Sequence, residues 1–168
     1  MAETLIAWFQ ETLGGKIPSE LIVFIISMVP ILELRGGMIA ARLFGLPYLR
    51  AALICIVGNL IPIPFILWLI TPIFNWMKTT GLFRPLVEKL EKTAMSKSDK
   101  VAKAEFIGLL LFVGIPIPGT GAWMGSLIAA LLNIKFKKAI VAEVLGLLLA
   151  LIIMSIITYV IPWLIAAV

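Results

Sequence analysis

The chain contains no histidine and only one cysteine in 168 residues. Without imidazole there is no histidine-ligated metal, no Ser–His nucleophile and no histidine proton relay. Cys55 stands alone inside an apolar run, so neither an intrachain disulfide nor a thiolate metal cluster can form, and it reads as a small core residue. Charge is sparse too, at 14% of residues. No phosphate-binding glycine loop, zinc spacing or nucleophile elbow occurs, and the expectation is a protein that is not an enzyme and needs no organic or metal cofactor. The first twenty residues carry Glu3, Glu11 and Glu20 and lack a basic leader region, so membrane entry is expected from internal segments.

What the chain has in abundance is apolar surface. Hydrophobic residues make up 62% of it, and the mean hydropathy is +1.14. A soluble fold of this size leaves too much area in water to hide that composition. A single integral membrane domain over residues 1–168 is expected. The net charge of +5 sits mostly in segments flanking apolar runs. That placement points to membrane topology and anionic lipid, with no nucleic acid partner.

Residues 2–14 put Ala2, Leu5, Ile6, Phe9 and Leu13 on one helical face, predicting an amphipathic helix at the interface. Residues 21–44 are apolar but broken at Pro30 and Gly36-Gly37. Residues 51–72 are apolar with Asn59 and Pro62-Ile-Pro64, which predicts a kink. Residues 73–104 form the long polar region, in which Phe83, Leu86, Val87 and Leu90 suggest a second amphipathic helix. Residues 105–132 are apolar and broken at Pro116–Gly121, and residues 139–165 form a last apolar run with Pro162 near its end.

The two halves align at an offset of 88: Pro30 meets Pro118, Gly37 meets Gly125, Ala51 meets Ala139 and Gly58 meets Gly146, while the basic-to-apolar junction at Arg50 meets Lys138. This predicts an internal repeat, with repeat 1 over about 1–72, a basic linker over 73–104 and repeat 2 over about 105–168. Unbroken, residues 21–44 would reach about 36 Å, enough to cross a ~30 Å hydrocarbon core. Broken near 30–37, each arm reaches only roughly 15–20 Å, which suits a re-entrant hairpin. Charge separates the two cases. If both broken segments are hairpins, the 73–104 and 133–138 segments share one side and hold ten basic residues against three (Lys16, Arg42, Arg50); if both cross, the split is eight against five. The hairpin arrangement is the more asymmetric. The expected fold is therefore all-α, an inverted repeat of two re-entrant hairpins and two transmembrane helices, with 73–104 cytoplasmic and both termini outside.

Glu33 and Arg35 are the leading candidate site residues, since charge at membrane depth is expensive and tends to mark function. In an extended stretch at a hairpin tip they would share a side, Glu33 holding a coupling proton or Na+ and Arg35 clasping an anionic group. The structural alternative is an ion pair that fixes the hairpin. Gly36-Gly37 and Gly119-Thr120-Gly121 permit close backbone approach and can start half-helices whose N–H groups face an anion, or else serve tight helix packing. Pro118 reads as geometry. Thr120 and Trp123 are candidate lining residues, Trp123 equally an interfacial anchor. Asn59 is a candidate cavity donor or a helix–helix bond. Glu143 is either a second titrating group or a carboxylate reaching back to the Lys135–Lys138 cluster. Two hairpins dipping from opposite faces would bring the candidate residues to one polar pocket.

The runs Pro30-Ile-Leu-Glu-Leu-Arg-Gly-Gly-Met-Ile-Ala-Ala41 and Gly114-Ile-Pro-Ile-Pro-Gly-Thr-Gly-Ala-Trp-Met-Gly-Ser126 resemble those of the bacterial and archaeal small multi-drug export protein family, over nearly the whole chain. That family is similar to the DedA (VTT-domain) superfamily of lipid transporters and scramblases. The resemblance implies opposed re-entrant hairpins, a frequent homodimer, a prokaryotic cell membrane, and Glu33 and Pro118-Gly119 as the hairpin motifs. It also shows a departure, because DedA proteins carry arginines around the second motif where this chain reads Gly-Thr-Gly-Ala-Trp. The functional expectation is a transporter of an anionic or amphipathic small molecule or lipid. The alternatives are a passive scramblase or channel and a non-transporting scaffold. Topology is tested by thiol labelling of intact cells: a cysteine at position 12 should react with an impermeant reagent and one at position 95 should not, and the reverse would invert the assignment.

Overall fold

The computed structural model describes Thr4 and residues 17–80, 83–102 and 105–166, with the backbone alone for 97–102 and 166. The interfacial helix expected over 2–14 lies, Thr4 apart, outside them. The described residues are mostly helical and contain no strand: α1 (Ser19–Met28), α2 (Glu33–Leu43), α3 (Tyr48–Leu60), α4 (Pro62–Thr79), α5 (Arg84–Ala102), α6 (Glu105–Gly114), α7 (Ala122–Leu131), α8 (Phe136–Ser155), a π-helical turn (Ile156–Val160) and α9 (Ile161–Ala166).

Two helical stretches are long and apolar enough to cross a membrane, Tyr48–Thr79 with 32 residues and Phe136–Ile165 with 30. At 1.5 Å per residue each exceeds a ~30 Å core. Only 33% and 39% of their most apolar windows is buried within the protein, so most of that surface faces outward. Trp68, Trp76, Trp163 and Ile165 are each at least 65% exposed, a burden that lipid removes and water would not. The chain is an integral membrane protein. Near Pro62, where a kink was expected, α3 ends at Leu60 and a single turn residue, Ile61, with helical dihedrals (φ −59°, ψ −47°), leads into α4.

The chain divides into two compact units, Met1–Ile61 with Leu147–Val168, and Pro62–Gly146. In the first unit α1, α2 and α3 pack on one another, and α2 also meets the π-turn. Val29 ends α1 in an extended conformation (φ −73°, ψ 131°), as the residue before a proline must to avoid the ring of Pro30. The chain then turns through Ile31 at φ 80° and re-enters a helix at Glu33, itself at φ 51°. The break is narrower than the sequence suggested. It closes at Leu32, and Gly36 and Gly37 lie inside α2. They are helical because they serve contact: a Cβ on Gly37 would collide with Ser27 Oγ and sit 2.8 Å from Cys55 Sγ, and one on Gly58 would sit 2.9 Å from the Phe24 carbonyl oxygen.

In the second unit α7 packs on α4, α5 and α6. α6 ends at Gly114, Pro116 and Pro118 deny the turn its helical donors, and Gly121 (φ 134°) caps α7. Here the expected break falls where it was placed. The glycine contacts are alike in kind: a Cβ on Gly125 would sit 2.7 Å from Val113, and one on Gly146 2.8 Å from the Leu110 carbonyl. The helix ends match as well. α2 closes with Gly45 N–H donating to Arg42 O (3.1 Å) and Leu46 N–H to Ala41 O (2.9 Å); 88 positions on, α7 closes with Asn133 N–H to Ala130 O (3.1 Å) and Ile134 N–H to Ala129 O (2.9 Å). Both are Schellman caps, in which a left-handed residue satisfies the last carbonyls. Gly45 supplies φ 70° and Asn133 φ 54°.

In the polar segment, Val87 and Ala94 form the buried face of α5 while Phe83, Leu86 and Leu90 stay exposed. The glycine contacts predict a rank order in detergent unfolding. Gly37→Ala should cost about 1–3 kcal/mol through overpacking. Gly45→Ala, with open space around it, should cost only the ~1 kcal/mol of its backbone conformation. Ser27→Ala should recover part of the Gly37→Ala loss and none of the Gly45→Ala loss.

Candidate functional site

Glu33 opens α2 and is 6% exposed. Arg35 stands two residues on in the same first turns, half-buried. Both lie in the first turn of α2, and the extended tip expected to set them on one side is absent. Half-helix α2 starts at Glu33 instead of at Gly36-Gly37. Its first turn thus carries an acidic residue. Ile31 and Glu33 both hold positive φ, which for side-chain-bearing residues costs ~1–3 kcal/mol each and persists only where the surroundings enforce it.

Asn59 is the next-to-last residue of α3, one turn beyond Cys55, and fully buried. Neither Nδ2 nor Oδ1 finds a hydrogen-bond partner among the described residues. Pro62 and Pro64 follow and lack N–H groups, so the Gly58 and Leu60 carbonyls lose their regular helical donors. A polar amide and weakened carbonyls thus coincide at the Ile61 turn.

In the second unit Pro118 and Gly119 form the exposed part of the turn, with Gly119 at φ 77°. The Thr120 hydroxyl lies 3.0 Å from Ile115 O and 2.8 Å from Ile117 O, sharing its one hydrogen between them. It braces the loop that the prolines deprive of donors. Thr120 also lines a cavity of about 270 Å³ with Gly108, Leu111, Phe112, Ile115 and Ile117. Trp123 sits in the first turn of α7, partly exposed.

Glu143 departs from the second of its two sequence readings. It does not reach back to the lysine cluster: it is 0% exposed within α8, and its Oε2 accepts a 2.8 Å hydrogen bond from Ser126 Oγ. Lys138 instead pairs with Glu105 at 2.6 Å. An ideal Cβ on Gly125 would lie 3.9 Å from Glu143 Oε1, so the close approach permitted by that glycine is what brings the carboxylate against α7. Ser126 was missed, yet a signal existed. At the 88-residue offset Glu143 falls on Cys55, the residue that packs against Gly37 in the first unit. The same slot opposite an interhelical glycine holds a thiol in one unit and a carboxylate in the other.

Residues 33–153 match the model of the family described as "Putative small multi-drug export protein". The chain belongs to this family. The matched span opens on Glu33 and takes in Arg35, Asn59, the 115–121 turn, Ser126 and Glu143; it ends before the π-turn. No curated protein and no solved structure matches the chain. For this small multi-drug export family member, the buried Ser126–Glu143 bond predicts that Ser126→Ala lowers unfolding stability by about 0.5–1.5 kcal/mol, the range for an intramolecular hydrogen bond. A loss within experimental error would mean the bond adds nothing to α7–α8 packing.

Proposed function

We propose that the protein is an ion-coupled secondary transporter moving an anionic or amphipathic small molecule or lipid across a prokaryotic plasma membrane. Glu33 carries the coupling proton or Na+, and Arg35 attracts the anionic group of the cargo. The observation that carries this reading is Glu33 itself, a carboxyl group 6% exposed at the corner between two short helices, on a residue with positive φ. Acidic residues at membrane depth cost ~2.5–3.5 kcal/mol on insertion scales. A position with only a packing task would be served better by an apolar side chain.

Each broken segment enters and leaves through one leaflet, and the halves have opposite topology. Supporting this are the lengths of α1, α2, α6 and α7, at 10, 11, 10 and 10 residues, or roughly 15–17 Å each, and the ten-to-three split of basic residues. The Schellman caps and glycine contacts repeated 88 positions apart support a shared origin of the halves. The 73–104 segment then faces the cytoplasm, the termini face outward, and the working assembly is a homodimer.

The same short half-helices favour one second reading, passive scrambling by local thinning of the bilayer. Reconstitution separates the two. With a fluorescent amphipathic dye, an imposed proton or Na+ gradient should drive accumulation in wild-type vesicles. Glu33→Gln should lower that accumulation about tenfold or more, removing ~1.4 kcal/mol of drive per decade, while downhill exchange continues. Indifference of the wild type to either gradient would establish the passive reading.

A further inference from the structure

A second polar cluster lies in the first unit, apart from Glu33 and Asn59. Arg42, in the last turn of α2, places its guanidinium carbon 5.5 Å from the centre of the Tyr159 ring. Tyr159 meets Tyr48 edge-to-face, with centroids 5.4 Å apart and planes at 71°. Both phenols are turned to internal work. Tyr159 donates to the Leu46 carbonyl at 3.4 Å. Ser155 spends its one hydrogen on the Leu151 carbonyl at 2.6 Å, so the 3.2 Å contact between Ser155 and Tyr48 is donated by Tyr48. These bonds tie the Phe44–Pro47 loop and the start of α3 to the π-turn Ile156–Val160. A π-turn fits an extra residue into the helix and is often found where a site has been shaped.

The consequence for Arg42 is specific. A guanidinium held over an aromatic face by the ring's quadrupole needs no hydrogen bond to stay there, so its N–H donors remain available. Among the described residues no acceptor takes them, and Arg42 is exposed. Its neighbours along the chain are apolar and exposed too: Leu43 at 62%, Leu49 beside Tyr48 at 68%, and Val160 beside Tyr159 at 44%. An oriented cation, two tyrosines and outward-facing aliphatic side chains together mark the depth where headgroups meet acyl chains. Arg50, another exposed basic residue of this region, has Glu20 at 3.9 Å, whereas the Arg42 guanidinium lies over a ring.

We propose that Arg42, held on Tyr159, is the phosphate-binding residue of a lipid headgroup site whose acyl chains run over Leu43 and Leu49. Ring stacking supplies the orientation in advance, so less rotamer entropy is lost when a phosphodiester docks. The ligand chemistry is a phosphate ester; the bilayer, and not the aqueous phase, is its source. This site does not depend on the transport reading.

The test uses delipidated full-length protein in a neutral maltoside detergent, with thermal unfolding followed against added short-chain phosphatidylglycerol, inorganic phosphate and a phosphate-free diacylglycerol. Phosphatidylglycerol should stabilise the wild type saturably, with neither control doing so at the same concentrations. Arg42→Gln should raise the half-saturating concentration about tenfold or more, Arg42→Lys less, because the bidentate edge is lost while charge stays. Tyr159→Leu should weaken binding about two- to fivefold through the lost ring, and Tyr159→Phe should stay close to wild type. If Arg42→Gln does not fold, Arg42→Lys and the Tyr159 pair carry the decision. Equal saturation by inorganic phosphate would overturn the lipid assignment, and stabilisation by diacylglycerol alone would reduce the site to an apolar groove. Unchanged binding in Arg42→Gln, or in both Arg42→Lys and Tyr159→Leu, would remove Arg42 from it.

Discussion

Hydrocarbon offers no hydrogen bonds, so a chain that interrupts its helices inside a membrane must satisfy the freed backbone from within itself. Two helix interruptions of this protein satisfy their backbone in different ways. At Val29–Leu32 the turn is brief, with Glu33 N–H returning to Val29 O at 3.0 Å and Gly36 N–H to Leu32 O at 2.7 Å. At 115–121 two prolines remove donors altogether, and the Thr120 hydroxyl braces the Ile115 and Ile117 carbonyls. Bare glycines then let neighbouring helices close over each break. Cβ atoms at Gly37, Gly58, Gly125 and Gly146 would each meet a neighbour at 2.9 Å or less, a spacing at which small residues replace hydrophobic drive with dispersion contact.

The halves share a scaffold and diverge in its chemistry. Opposite the interhelical glycine stands Cys55 in one unit and Glu143, bonded to Ser126, in the other. The first turn after the break carries Glu33 and Arg35 in one and Ala122 and Trp123 in the other. Positions 88 apart thus present acids at unlike places in the two units. On the transport reading proposed above, that asymmetry would let the two ends of the path bind ions and cargo differently.

Local physics was legible in the sequence, and partner-dependent physics was not. Pro30 and the Pro116–Gly121 run announced breaks because a proline's missing N–H and its steric demand on the preceding residue act within a few positions. Gly36-Gly37 misled because glycine either ends a helix or permits contact, and the choice rests with Ser27 and Cys55. Glu33 was recognisable as a charge within an apolar run. The burial of Glu143 against Ser126 was not announced by the lysines nearest in sequence, although its 88-residue counterpart, Cys55, already read as core. The Arg42–Tyr159 stack joins α2 to the π-turn, far apart along the chain, and no periodicity announces it.

The account stands on both breaks lying within the hydrocarbon layer. Spin labels at Ile31 and Ile117, which are 76% and 50% exposed, report that depth by power saturation in reconstituted bilayers. Immersion about 10 Å or more below the headgroups, with oxygen relaxing each label far better than a water-soluble nickel complex, is the predicted result for a core ~30 Å thick. Strong relaxation of both labels by nickel, at headgroup depth, would contradict it.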